Sequence, residues 1–302
     1  MLSILMRAGS FIAIIALGYL LRKAGFFKAE DFDTLAKISI RITLPCAIIT
    51  SFAGKEIDMA LLSLPLMALA CGAVYIAIGF MMNRGNDREI RAFDMLNLAG
   101  YNIGTFVIPF AQSFLGAMGV VAVSIFDTGN AVICLGGAYS LASMVKDGSG
   151  FSLRRLARAL GTSVPFVTYI LMLSMNLLSL PVPAFVRSVA EVGSGANAFV
   201  AMLMIGVGFR LEANRSQLGH IARIIGIRYA LATVFALCFY FLTPFALEIR
   251  QALVILAFAP IGSAVPAFTR EMKSDAGLSS AINSIAMVIS ITVIVSLLLI
   301  ML

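Results

Sequence analysis

Apolar residues fall along this chain in long blocks separated by short polar stretches, and ten such blocks can be drawn. They cover residues 5–21, 38–52, 59–82, 92–115, 118–144, 164–180, 195–209, 224–245, 251–268 and 278–302. Most reach the roughly 20 residues that a helix needs to cross a hydrocarbon core of about 30 Å. The second and seventh are short. Each follows an amphipathic stretch (31–37 and 185–194), so tilt or partial burial in protein makes up the deficit. The first block runs straight into Arg22 and Lys23 without a small-residue cleavage site, which reads as a retained span. The pattern predicts an all-α polytopic membrane protein of ten transmembrane helices.

Two of these blocks are interrupted in nearly the same way. Ile103-Gly104-Thr105 leads to Pro109 in the fourth, and Ile261-Gly262-Ser263 leads to Pro266 in the ninth. A charged Glu-Ile-Arg triplet precedes both, Glu89 to Arg91 in one and Glu248 to Arg250 in the other. Gly and Pro release backbone groups from the helical ladder, and a membrane tolerates that only where protein or a watery cavity satisfies them. A matched pair of interrupted helices in two halves of a chain points to a transporter's binding site.

The polar stretch 146–162 divides the chain into a first repeat (1–145), a cytoplasmic linker with an interfacial helix (146–162) and a second repeat (163–302). Each repeat holds five spans. Five is odd, so the second repeat enters the membrane inverted with respect to the first. Asp127 in the fifth block and Asn283 in the tenth follow their breaks at similar distances.

Composition agrees with a lipid solvent: 61% of the 302 residues are hydrophobic and 12% charged, with a mean hydropathy of +1.01. A soluble domain carries about a quarter charged residues. Sixteen Lys and Arg fall after odd-numbered spans, Arg228 and Arg270 counted among them, against Lys55, Arg187 and Arg250 after even ones. That bias puts both termini on the non-cytoplasmic side. It also accounts for the net charge of +7 without nucleic acid. Cys46, Cys71, Cys134 and Cys238 lie singly in apolar blocks, and His220, the only histidine, lies in a basic loop. These positions suggest no metal site, no cofactor and no disulfide. No Walker loop, Ser–His arrangement or second buried carboxylate argues for an enzyme.

Candidate chemistry gathers at the breaks. A helix broken within the membrane exposes free N–H groups at one half and free carbonyls at the other. Two such helices crossing at their breaks can hold an anion, with Asn102, Thr105 and Ser263 adding neutral hydrogen bonds. Gly104, Pro109, Gly262 and Pro266 complete the substrate-binding set; the alternative is that Asn102 and Thr105 only satisfy the kink. Asp127 is apolar-flanked on both sides, and a charge at that depth costs at least roughly 2.5–3.5 kcal/mol. It binds Na⁺, carries a proton or caps a half-helix, with Asn130 on the same face and Asn283 as its counterpart. Asp94 is expected at a boundary, Asn197 in a helix–helix hydrogen bond, and Gly206 and Gly208 at close-packed positions.

At these residues the chain resembles the auxin efflux carrier family, in its bacterial branch. The resemblance rests on Leu44-Pro45, Asn102-x-Gly104 followed by Pro109, Asp127-x-Gly129-Asn130, and Ala259-Pro260 with the small-residue stretch after it. It implies two inverted five-helix repeats with crossing fourth and ninth helices, as in bile-acid symporters. It implies a scaffold (spans 1, 2, 6 and 7) and a mobile transport domain (spans 3–5 and 8–10) moving as an elevator. It also implies a homodimer joined through the scaffold, in the bacterial cytoplasmic membrane, carrying a small organic anion such as malonate, malate or oxalate. Coupling to Na⁺ or H⁺ stays open, with a Na⁺-coupled bile-acid-like symporter as the alternative. The chain lacks the long central hydrophilic loop of the plant members, so auxin is not implied.

Overall fold

The computed structural model describes all residues except 1, 29, 83, 84, 86 and 210–214, together with all described side chains except those of Ser3 and Arg215. Arg84 and Arg210, which entered the charge count, thus lie outside the described residues. Every regular element among the described residues is helical. The chain begins with α1 (Leu2–Lys23), then α2 (Asp31–Ile38), which runs through a π turn (Ser39–Thr43) into α3 (Leu44–Phe52). Next come α4 (Leu64–Met81), α5 (Arg88–Leu98), α6 (Ile108–Phe114), α7 (Gly116–Val132) and α8 (Ala138–Asp147). The remainder is α9 (Leu153–Thr162), α10 (Val164–Leu177), α11 (Ala184–Gly208), α12 (Leu218–Leu242), α13 (Leu247–Ala257), α14 (Val265–Glu271) and α15 (Ala276–Met301).

Proline sets several of these starts. Pro45, Pro65, Pro109, Pro165 and Pro266 each occupy the first or second position of a helix. There the missing N–H would have found no helical partner anyway, and the fixed φ suits the first turn. Pro45 and Pro109 each come one residue after a π turn, Ser39–Thr43 and Ile103–Val107. Such a turn lets the chain pass the missing hydrogen bond without leaving helical geometry.

Among the described residues, seven helices are long and apolar enough to cross a membrane: Ile4–Lys23, Asp31–Phe52, Met59–Met81, Gly116–Asp147, Ala184–Gly208, Leu218–Leu242 and Ala276–Met301. The pair α9 and α10, bent by 75°, makes an eighth. The short second and seventh blocks of the sequence are lengthened by their amphipathic extensions, to 22 and 25 residues. The fourth and ninth blocks do not form continuous helices. Each is split into two short ones, α5 with α6 and α13 with α14, by non-helical backbone at 99–102 and 258–264.

Helices gather as two sets. α1 lies along α11, which also packs on α2 and α3, and α10 packs on α3. Gly18 and Gly206 let α1 and α11 touch backbone to backbone, since a Cβ on either would meet the other helix's main chain. In the second set α4 packs on α5 and α7, α8 on α5, α12 on α13, and α13 on α7. Gly79 sits against the Asp94 and Met95 backbone, and Gly129 against the Pro65 carbonyl. Asn197 joins α11 to both sets, accepting from Thr43 at 3.0 Å and donating to Gln112 at 3.3 Å.

Three polar positions differ from the sequence expectation. Arg228 is no loop cation: it lies inside α12 and is 1% exposed. Asp94 is fully buried rather than at a boundary, and its carboxylate is 2.6 Å from His220 Nε2. His220 belongs to the first turn of α12 rather than to a loop. In each case tertiary packing covers a residue that its neighbours in sequence leave open.

Candidate functional site

The two breaks meet. The Asn102 N–H donates to the Pro260 carbonyl at 2.9 Å, so the stretch after α5 and the stretch after α13 touch through their main chains. Gly100 takes φ +76°, a left-handed conformation that glycine adopts without strain, and this turns the chain out of α5. Leaving a helix strands its last carbonyls, and inside a membrane each must find a donor.

Side chains from three other helices supply those donors. Asn130 of α7 acts as a peptide mimic: its Nδ2 donates to the Tyr101 carbonyl at 2.9 Å and its Oδ1 accepts the Tyr101 N–H at 3.0 Å. Ser290 of α15 donates to the Phe258 carbonyl at 2.6 Å. Arg228 of α12 takes the rest. Its Nη1 donates to Leu98 O at 2.5 Å, and its Nη2 reaches Gly100 O, Ala259 O and Pro260 O at 2.8, 2.9 and 3.1 Å. The guanidinium also lies near the faces of Tyr75 and Tyr101, 5.1 and 5.4 Å from the ring centres. Among the described residues no carboxylate pairs with it. Its partners are the last carbonyl of α5 and carbonyls of the unwound stretches that follow α5 and α13, at the negative ends of both helices.

Beside this crossing lies a cavity of about 310 Å³, bordered by Asn102, Ser263, Pro266, Asn283, Asp33 and Arg270. Two amide atoms on its walls have no hydrogen-bond partner although both side chains are over nine-tenths buried: Asn102 Nδ2 and Asn283 Oδ1. Buried polar atoms almost always find a partner, so two orphans around one cavity mark a place where a ligand or water completes the set. The other end of the Asn102 amide is held, because Thr105 Oγ1 donates to its Oδ1 at 2.6 Å. Arg270 is exposed at the wall and brings a cation within reach of whatever occupies the cavity.

A smaller cavity of about 140 Å³ touches the same crossing and shares Asn102 and Ser263 with the first. Asp127 borders it. Its Oδ1 accepts from Asn130 Nδ2 at 2.7 Å and its Oδ2 from the Tyr169 hydroxyl of α10 at 2.9 Å. The carboxylate thus joins α7 to α10, a helix of the other set.

The expected residues therefore divide. Asn102, Ser263, Pro266 and Asn283 border the larger cavity. Gly104, Thr105, Asp127, Asn130, Gly262 and Ser263 border the smaller. Pro109 borders neither and lies buried within α6, past the break. A Cβ at Gly104 would press on the Leu44 side chain of α3, and one at Gly262 on Cys134 Sγ, so neither glycine marks the point where the main chains touch. Sequence reasoning missed Arg228, Tyr169 and Ser290. Arg228 had a signal, since Ile224, Ile225, Ile227 and the run after Tyr229 flank it with apolar residues much as Asp127 is flanked. For Tyr169 and Ser290 nothing local distinguishes them.

A family model described as membrane transport protein matches residues 4–150, the part of the chain from α1 to just past α8. A protein of Methanothermobacter thermautotrophicus named as an uncharacterized transporter is 22% identical over 231 residues, 75% of each chain. The first half of the chain is thus similar to membrane transport proteins, and several of its helices are long and apolar enough to cross a membrane.

Proposed function

We propose that the protein is a secondary carrier for a small organic anion, a mono- or dicarboxylate of the size of malonate, malate or oxalate. The observation that carries this reading is the pair of orphaned amide atoms, Asn102 Nδ2 and Asn283 Oδ1, on the wall of a 310 Å³ cavity that Arg270 also borders. That volume is at the bottom of the roughly 300–1,000 Å³ range of small-molecule sites, which favours a compact anion over a steroid. Arg228 caps the carbonyl ends of both breaks, so their negative ends are already neutralised and add no repulsion to an anion nearby.

The same reading takes α5 with α6, and α13 with α14, as the fourth and ninth of ten spans in two inverted repeats (1–145 and 163–302, joined by 146–162). The set holding α4–α8 and α12–α15 is then the transport domain. The set of α1–α3 with α10 and α11 is the scaffold, through which two copies join. Sliding of one against the other gives alternating access across the cytoplasmic membrane, with both chain ends outside. The packing of α4, α5, α7 and α8 together, and of α12 with α13 and α15, supports that division.

A thermal-shift screen of the purified protein against dicarboxylates, with and without Na⁺, tests the function. A concentration-dependent rise in unfolding temperature with one acid, shifted to higher concentration in Asn283→Ala, is the expected result. No response to any acid, and no counterflow in liposomes, would sink the proposal. Orientation has its own test: a cysteine at Ser149, in a chain freed of its four native cysteines, should resist an impermeant reagent in intact cells, and one at Gly116 should react.

A further inference from the structure

The geometry points to Arg228 as a tethered cation standing where a carrier of this construction would otherwise need a coupling metal ion. Broken-helix carriers collect backbone carbonyls from unwound segments and half-helix C-termini, and such oxygens coordinate Na⁺. Here the carbonyls of Leu98, Gly100, Ala259 and Pro260 converge in that way, two from each break, and all four accept from one guanidinium. The group is 1% exposed and carries its charge permanently. Its planar fork matches several oxygens in fixed directions, and Tyr75 and Tyr101 flank it with aromatic faces. Tyr75 closes the arrangement by donating its hydroxyl to Arg228's own carbonyl at 3.2 Å.

A covalently held cation cannot leave with the substrate. A Na⁺ at the crossing would have to displace Arg228 from four hydrogen bonds, and the guanidinium has nowhere to go inside α12. The crossing is thus charged once, at folding, and the protein works without a metal cation. This role rests on the carrier function proposed above, but its test reads heat stability and so fails separately from any substrate assay.

Unfolding of the purified full-length protein is followed with a thiol-reactive dye, because the four cysteines lie in apolar helices and the chain has no tryptophan. The wild type should unfold at one temperature in NaCl and in choline chloride of equal ionic strength. Arg228→Ala should unfold several degrees lower in choline and recover part of the loss with methylguanidinium, and a smaller part with Na⁺. Arg228→Ala as stable as the wild type overturns the role, as does a destabilised variant that answers to neither cation. A wild type that Na⁺ stabilises over choline overturns it as well. Should Arg228→Ala not fold, Arg228→Lys keeps the charge: a folded, Na⁺-insensitive protein supports the role, and loss of both variants makes shape rather than charge the requirement.

Discussion

Arg228 in α12 and Asp127 in α7 each set a charge inside a long apolar helix, yet their partners are of different kinds. Arg228 is enclosed, and what it binds is main chain: four carbonyls at the ends of two half-helices. Asp127 is only partly covered, borders a cavity, and is held by two side chains, Asn130 on its own helix and Tyr169 on α10. Backbone partners cannot be withdrawn while the fold persists. A tyrosine on a neighbouring helix can be, once the two sets of helices slide. The first charge therefore belongs to the construction of the crossing, and the second stands at the junction between the parts proposed to move.

The difference predicts its largest effect at Arg228. Arg228→Leu keeps an apolar stem but removes the guanidinium and every donor on it. Pro260 O retains the Asn102 N–H, while Leu98 O, Gly100 O and Ala259 O lose the donor that Arg228 gave them. At about 1–3 kcal/mol for each buried group left unsatisfied, the loss is roughly 3 kcal/mol or more. Expression with a fluorescent fusion and size-exclusion chromatography should show a smaller monodisperse fraction that unfolds several degrees below the wild type. A monodisperse Arg228→Leu protein of wild-type heat stability would put the two charges on the same footing and remove the contrast.

Much of this arrangement was legible in the chain, because membrane helices make irregular backbone conspicuous. Gly104 and Gly262, each followed by a proline, stand out in apolar blocks, and they fall within three residues of the true contact between Asn102 and Pro260. Asp127 was legible for the same reason: a lone carboxylate in hydrocarbon has to be accounted for. Arg228 met the same criterion but was counted with the loop cations, because the basic residues His220 and Arg223 lead up to it without a break. Taking it out leaves fifteen against three in the charge count, so the orientation argument stands. The sequence placed Pro109 at the end of the interruption. The structure starts the second half-helix at the π turn Ile103–Val107, which carries the chain past the proline. Tyr169 was beyond reach, since its role exists only through a helix 42 positions away.

A middle-sized effect is expected at Asp127. Asp127→Asn keeps the shape and one acceptor for the Tyr169 hydroxyl, but turns an N–H₂ toward Asn130 Nδ2, where two donors then face each other. The protein should fold, with a stability cost of about 1 kcal/mol for the lost hydrogen bond. Where Asp127 carries a proton in the transport cycle, liposome uptake by the variant should be flat with pH while the wild type is not. Tyr169→Phe should change rate and leave the pH profile, because it loosens the contact without removing the charge. An Asp127→Asn carrier that keeps the wild-type pH profile would reduce Asp127 to a bracket for Asn130, as structural as Arg228.

The smallest change in stability, and the sharpest test of what the open side of the crossing is for, belongs to Asn283. Its Oδ1 has no partner in the folded protein, so Asn283→Ala removes a buried acceptor that was never satisfied. Ordinary core truncations destabilise, but deleting an orphaned polar atom relieves a desolvation penalty of about 1–3 kcal/mol, which offsets the lost packing. The unfolding temperature without substrate should therefore stay near that of the wild type or rise slightly. Affinity should move the other way. If an anion or its ordered water supplies the missing partner, losing one hydrogen bond of roughly 0.5–1.5 kcal/mol weakens binding by up to about tenfold. Asn102→Ala should show the same fall in affinity with a larger loss of stability, because its Oδ1 also anchors Thr105 at 2.6 Å. Isothermal titration of both variants with the acid found in the screen separates the two. An Asn283→Ala protein that binds as tightly as the wild type would mean that its orphaned amide faces nothing but water, and would shift the claim on the substrate to Asn102, Ser263 and Arg270.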